Sequence, residues 1–299
     1  NINYLDLVLQ QLPELPREYV MPEPIHRNTT PSIAWAAHRI MRLNPQANLI
    51  VVPSDQLITD EEAFKNDVLE GLDFVARHQT LLTMGIKPTR PEPGYGYIQM
   101  AENVDHEVYK VKTFTEKPNR EFAKMFMESG EFYWNTGLFI ASVAPLYDRL
   151  CQILPSVLRE LDDKNYYATP MQEEAFIQEH FTAYPNLSIE QGLLERAEDV
   201  CVMKCNFGWA DLGTWHGMYE ALPKAVDDNV VIHSEVIMNN SHANVVKLPK
   251  GMLGVIDGLE GFIVAQKDNV LLICRKEDSS DLVRKYVNEA LLRKGEEYV

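Results

Sequence analysis

Two aspartates stand where a chain could hold a metal ion against phosphate. Asp55 closes Pro53-Ser54-Asp55, which follows the apolar run Leu49–Val52. A carboxylate at the carboxyl end of a buried strand points into the crevice where α/β sheets bind ligands. Hard oxygen donors of this kind suit Mg²⁺, which commonly bridges phosphates. A helix cap or a turn would use the same residue equally well. Asp211 lies in Phe207-Gly208-Trp209-Ala210-Asp211-Leu212-Gly213-Thr214-Trp215, just after the run Val200–Cys205. Its glycines would let a ligand approach the backbone. Asp211 could cap the helix that carries Trp215, or it could join Asp55 in a two-carboxylate metal site. The second outcome requires the sheet to bring two distant strand ends together.

Other polar segments could read a sugar, a phosphate or a base. Phe114-Thr115-Glu116-Lys117-Pro118 ends a strand in two opposite charges. Glu116 can accept from hydroxyls and Lys117 can act as a point charge on phosphate, or the two can be an exposed charge pair. Side chains alternate across a strand, so they would face differently unless the strand ends there. Trp134-Asn135-Thr136-Gly137 offers an amide that donates and accepts, as hydroxyl recognition needs; a turn would also accept it. Gly94-Tyr95-Gly96-Tyr97-Ile98 reads as a loop entering a strand. Glu23-Pro24-Ile25-His26-Arg27-Asn28-Thr29-Thr30-Pro31 is a polar loop before a helix N-terminus, a place for an anion or a base edge. No GxSxG, HExxH, Walker A or CxxC pair occurs.

The elements that must position these residues alternate. Leu49–Val52, Thr80–Gly85 and Val200–Cys205 are unbroken apolar runs of strand length, as in strands buried on both faces of a parallel sheet. Asp60–His78 is an amphipathic helix. A second helix is expected to open at Thr30-Pro31, with Thr30 as cap. Glu18–Met21 reads as a short strand, Tyr97–Met100 with Val108–Phe114 as a β-excursion, Glu121–Glu128 as a helix and Leu138–Ala141 as a strand. Helices fill about 143–196. This rhythm is that of an α/β fold. After about Val226 short β-pieces dominate, from Val230–Ile232 to Val270–Cys274, and Asp281–Arg293 closes as a helix. Two domains are expected, 1–225 and 226–299. The second has little room for a core of its own, so it is expected to pack on a neighbouring subunit and make a homodimer.

Composition narrows the function classes. The 299 residues carry 28 Lys and Arg against 44 Asp and Glu, a formal charge of −16. Such a surface repels a phosphate backbone and anionic lipid, so neither nucleic-acid binding nor membrane docking is expected. No apolar run approaches the ~20 residues that span a bilayer. Four cysteines at 151, 201, 205 and 274 read as free thiols, which fits a reducing cytoplasm. The chain starts with helically spaced Leu5, Val8, Leu9 and Leu12 and no initiator Met, as though a segment preceded it.

In order, RNTTP, VVPSDQ, GIKPTRPEPGYGYI, FTEKP, WNTG and GWADLGTW resemble the mannose-1-phosphate guanylyltransferase family, closely over about residues 15–222. The resemblance implies a Rossmann-like nucleotidyltransferase domain followed by a short left-handed β-helix. It implies GTP and mannose 1-phosphate as substrates, GDP-mannose as product and Mg²⁺ as cofactor. Asp55 and Asp211 would hold the metal, and with Lys117 on the sugar phosphate they form the expected catalytic set. Glu116 and Asn135 would bind mannose hydroxyls beside Tyr95 and the backbone of Gly96. The loop residues Glu23, Arg27, Asn28 and Thr29 would meet the guanine, Glu23 foremost. The family's glycine-rich signature loop would lie before Asn1, Gln56 stands where a His is common, and Glu190 stands where an Asp is common. Another sugar-1-phosphate nucleotidyltransferase and a non-catalytic sugar-nucleotide-binding paralogue are the rival readings.

Overall fold

The computed structural model describes residues 1–162, 169–277 and 279–295. In chain order the first part contains α1 (Leu5–Gln11), α2 (Thr29–Leu43), β1 (Asn48–Val51), β2 (Gln56–Ile58), α3 (Glu61–His78), β3 (Leu81–Ile86), β4 (Gly96–Asp105), β5 (Val108–Thr115), α4 (Arg120–Ser129) and β6 (Phe132–Ser142). Helices α5 (Val143–Ile153), α6 (Pro155–Asp162) and α7 (Pro170–His180) follow, then β7 (Val200–Cys205), β8 (Trp209–Asp211) and α8 (Trp215–Ala221).

One sheet organises this part, in the order β1-β6-β3-β7-β5-β4. The apolar runs suggest a parallel sheet, but only β3 and β7 pair in parallel. The reason is β6, which at eleven residues is longer than the four-residue run legible in sequence. It lies antiparallel to β1, to β3 and to β4. β1 is only half-buried, so its continuous apolarity does not reflect burial on both faces.

Alternation along the central strands builds two cores. From β6, Phe139 and Ala141 face Trp35, Leu146 and Leu150 of α2 and α5, while Leu138 and Ile140 face Phe74 and Val75 of α3. β3 and β7 divide likewise, Leu81 and Val200 to the first core, Leu82, Met84 and Met203 to the second. The sheet is therefore sandwiched between helices. Helix α3 begins where expected because the Asp60 carboxylate accepts from the Ala63 N–H at 2.9 Å, and Gln79 in the left-handed region ends it.

Two local expectations fail. Glu18–Met21 is not a strand; Arg17–Tyr19 form a single 3₁₀ turn. Prolines at 16, 22 and 24 remove donors a ladder would need, and the Arg17 guanidinium closes the turn on the Val20 carbonyl at 2.9 Å. Helix α2 starts at Thr29 with Asn28 as its cap, and Thr30 is buried inside the first turn.

The C-terminal part is a parallel coil. β9 (Val230–Val231), β11 (Val245–Lys247) and β13 (Phe262–Lys267) stack in parallel on one side, β10 (Glu235–Asn239) and β12 (Leu253–Asp257) on the other. β14 (Val270–Arg275) returns antiparallel to β13, and α9 (Ser279–Lys294) follows. The coil does have a core: Val246, Leu248 and Val264 are buried between its sheets with Val236, Met238 and Ile256. Inside its bends Asn229 and Asn244 are buried and stacked. The Asn244 N–H and amide both donate to Asn229 Oδ1, at 2.9 and 3.0 Å. Asn244 also donates to the Leu259 carbonyl and accepts from the Phe262 N–H. The coil packs on its own chain, where Val230, Val245 and Ile263 meet Trp215, Tyr219 and Leu282 of α8 and α9. All four cysteines are free thiols. Among the described residues, no helix is long and apolar enough to cross a membrane.

Candidate active site

The site forms where two short strands meet above the sheet. β2 and β8 pair antiparallel and place Gln56 opposite Asp211, and the Leu212 N–H donates to the Asp55 carbonyl at 2.8 Å. The strand ends that sequence could not connect are thus one small ladder. A β-carbon built on Gly213 would lie 2.9 Å from Asp211 Oδ1 and 3.0 Å from Asp55 Oδ2. Both carboxylates therefore converge on one glycine, where a side chain would push them from their present places. Asp211 Oδ1 also accepts from the Gly213 N–H at 2.7 Å. Burial pushes its carboxyl above the ordinary value; the Gly213 bond opposes this and the Asp55 charge adds to it. A divalent cation between the two would relieve that repulsion. The donors are hard oxygens with no sulfur or imidazole beside them, which fits Mg²⁺ with its remaining positions on phosphate or water. Among the described residues no group of three His, Cys, Asp or Glu could hold a metal unaided.

These aspartates line a cleft of about 470 Å³ with Asn28, Thr29, Tyr95, Gly96, Glu116, Lys117, Asn135 and Glu190. β5 ends at Thr115, and Lys117 turns at φ 47°, in the left-handed region. Because the strand has ended, Glu116 and Lys117 face the same cleft and pair at 2.9 Å. Glu116 Oε2 would be 2.7 Å from a β-carbon on Gly96, so a side chain there would displace the Glu116 carboxylate from its place. Asn135 is held in one orientation. Its carbonyl oxygen accepts from Thr83 Oγ at 3.0 Å and the Gly137 N–H at 3.2 Å, which leaves its amide to reach Glu190 at 3.4 Å. Tyr95 is buried edge-on between Trp134 and Trp209, its hydroxyl 3.5 Å from Thr214 Oγ.

Not every sequence candidate reaches the cleft. Asn28 and Thr29 line it, but the Glu23 carboxylate accepts from Ser32 Oγ, and the Arg27 guanidinium donates to the Thr182 carbonyl. Neither Glu23 nor Arg27 is among the lining residues. The structure adds Glu190, at the start of a π-helical turn, Glu190–Leu194. Burial raises its carboxyl, with the Glu116 charge contributing. Sequence marks Glu190 only as a departure from the family; π-turns cluster at functional sites but leave no signal in residue spacing. A larger cavity of about 900 Å³ shares Tyr95 and Trp209 with the cleft; its carboxylates are Glu92, Glu220 and Glu277, and neither Asp55 nor Asp211 lines it.

Comparison with known proteins bears on the family and the fold. Residues 7–228 match the nucleotidyl transferase family. The chain is 31% identical over 297 residues to a mannose-1-phosphate guanylyltransferase of Escherichia coli (strain K12), covering 95% of this chain and 60% of that protein. It is 32% identical over 302 residues to one of Salmonella montevideo, covering 98% and 63%. The chain thus spans about three-fifths of the length of these relatives. A crystal structure described as a mannose-1-phosphate geranyltransferase from Thermus thermophilus shares the fold, with a TM-score of 0.73 at 24% identity, over 95% of this chain and 88% of that one. A mannose-6-phosphate isomerase from Helicobacter pylori matches 71% of this chain and 82% of its own, with a TM-score of 0.56 at 25% identity. With a mixed α/β fold, two carboxylates facing one cleft and a family match over most of its length, the chain belongs to the nucleotidyl transferase family.

Proposed function

We propose that the protein is a mannose-1-phosphate guanylyltransferase, which joins GTP and α-D-mannose 1-phosphate into GDP-mannose and pyrophosphate. The observation that carries the reading is the convergence of Asp55 and Asp211 on Gly213, beside Glu116, Lys117 and Asn135 in one cleft. The names of the relatives at about 30% identity favour guanosine and mannose over other bases and sugars.

A phosphate oxygen of mannose 1-phosphate attacks the α-phosphorus of GTP in line. One P–O bond forms, the bond to the β-phosphate bridge breaks, and pyrophosphate leaves. The nucleophile is already an anion, so the chain needs no general base. Its work is positioning and charge placement. Glu116 and the oriented amide of Asn135 bind mannose hydroxyls, with Gly96 and Tyr95 shaping that wall and Lys117 set against the sugar phosphate. Asp55 and Asp211 would hold Mg²⁺, which supplies charge neutralisation at the phosphates when bound. Asn28 and Thr29 at the cleft wall read the guanine, with Arg27 tying their loop to the Thr182 carbonyl and Glu23 engaged by Ser32 outside the cleft lining.

The same reading makes the C-terminal coil a left-handed β-helix, with domains 1–225 and 226–299, in a cytoplasmic homodimer. Titration calorimetry tests the ligand assignment. With Mg²⁺ present, GDP-mannose should bind and UDP-glucose should bind at least tenfold more weakly. Equal affinities would point to another sugar nucleotidyltransferase.

A further inference from the structure

The segment Arg90–Gly96 has no regular structure of its own before β4 begins, yet it carries Gly94, Tyr95 and Gly96 into the cleft. Something must fix it. Glu92, at its centre, is 4% exposed. A carboxylate so buried requires donors. Glu92 Oε1 accepts from the Gly94 N–H at 2.9 Å and from Ser280 Oγ at 2.7 Å, and Oε2 lies 3.4 Å from the Arg90 guanidinium. Ser280 stands in the first turn of α9, 188 residues away in the chain. One turn further on, the Arg284 guanidinium donates to the Pro93 carbonyl at 3.1 Å.

We propose that the first turn of α9 braces the substrate-binding segment, and that Ser280 and Glu92 are positioning residues for the sugar phosphate. The brace lies close against the segment. A β-carbon on Gly94 would lie 2.9 Å from Ser280 Oγ and 3.0 Å from Glu92 Oε1, so the glycine backbone is seated directly on this pair. Two residues on, Gly96 touches Glu116, so a shift of the segment moves the wall against the sugar-binding carboxylate. The helix is itself anchored, because Leu282 packs into the coil core beside Val230 and Ile263. The adjoining Glu277 carbonyl accepts from Arg120 at 2.8 Å. The C-terminal coil thereby acts on the sugar side of the cleft. Its route does not touch Asn28 and Thr29, so nucleotide binding should be spared.

The kinetic part rests on the proposed reaction; the structural part does not. Two measurements on the full chain separate them. The first is amide hydrogen exchange of residues 90–98 in the unmodified protein, Ser280→Ala and Ser280→Thr. The Gly94 amide should exchange at least tenfold faster in Ser280→Ala and return toward normal in Ser280→Thr, which restores the hydroxyl. Unchanged exchange would overturn the brace whether or not the protein turns over GTP. The second is steady-state kinetics. Ser280→Ala should raise KM for mannose 1-phosphate about tenfold and leave KM for GTP within twofold. Glu92→Gln, which keeps the size and removes the charge, should follow the same split. Equal loss for both substrates, or no loss despite faster exchange, would overturn the positioning role. Absence of turnover in the unmodified protein would refute the proposed reaction and leave the exchange result to decide the brace.

Discussion

Asp55 and Asp211 are each legible as residues of interest, but their meeting is not, because 156 positions separate them and only the β2–β8 ladder joins them. What sequence offers is type and context: an acid after an apolar run, and an acid among glycines. Glu116 and Lys117 illustrate the limit from the other side. Strand alternation separates them, whereas the turn at Lys117 reunites them in one cleft. Glu190 is marked in sequence only as a departure from the family pattern, because its place in the cleft depends on a π-turn. If the two aspartates share a cation, Asp55→Asn and Asp211→Asn should each cut turnover at least ~100-fold, about 3 kcal/mol of barrier. Both should also weaken Mn²⁺ binding measured by paramagnetic relaxation. Near-normal values in either variant would remove that acid from the site. Base reading is tested at Asn28, whose φ of 61° makes glycine the tolerable replacement. Asn28→Gly should lower the preference for GTP over ATP about tenfold in direct competition, and unchanged preference would move recognition to the backbone.

Elements are easier to foresee than their pairing. The apolar run Val200–Cys205 matches β7 to the residue, and the capped amphipathic pattern matches α3 to within one, because both signals are local. The parallel sheet expected from such runs fails because β6 is long, and its first six residues include the polar Asn135 and Thr136 that build the cleft. The coil is legible as a set of short strands, but not its core, since no strand contributes more than three buried side chains and β10 and β12 contribute only half-buried ones. Its stacked asparagines do carry a signal in retrospect: Asn229 and Asn244 recur one coil apart. Asn244→Ala would strand the Phe262 N–H, while the Leu259 carbonyl keeps the His242 N–H and Asn229 Oδ1 keeps the backbone N–H of residue 244. An unpaired buried group costs roughly 1–3 kcal/mol, so urea unfolding should show a loss of about 2 kcal/mol. A loss below about 0.5 kcal/mol, the low end for a hydrogen bond, would mean that water replaces the ladder.

At the scale of the molecule, the coil, α8 and α9 close on one another through a buried lysine. Lys276 is 7% exposed, donates to the Ala243 carbonyl at 2.8 Å, and lies 3.0 Å from the centre of the Tyr219 ring. Burial lowers its ammonium to about 8. Between that value and the ordinary 10.5, the unfolded chain holds a proton that the folded one has lost. Stability attributable to Lys276 therefore rises with pH across about 8 to 10.5, by about 3 kcal/mol at most; below about 8 the full cost of burying the charge is present. Chemical unfolding of the protein and of Lys276→Met across that range should show the rise in the first and its loss in the second. The acidic surface, with a formal charge of −16, leaves phosphate recognition to the cleft, where Lys117 stands beside four carboxylates. That balance makes divalent cation a requirement of the proposed reaction. The most direct test is to incubate the protein with GTP, α-D-mannose 1-phosphate and Mg²⁺ and to follow products by phosphorus NMR. GDP-mannose and pyrophosphate should form in equal amounts, and chelation of the metal should stop both. Release of inorganic phosphate or GDP without GDP-mannose, or no change in either substrate, would contradict the account.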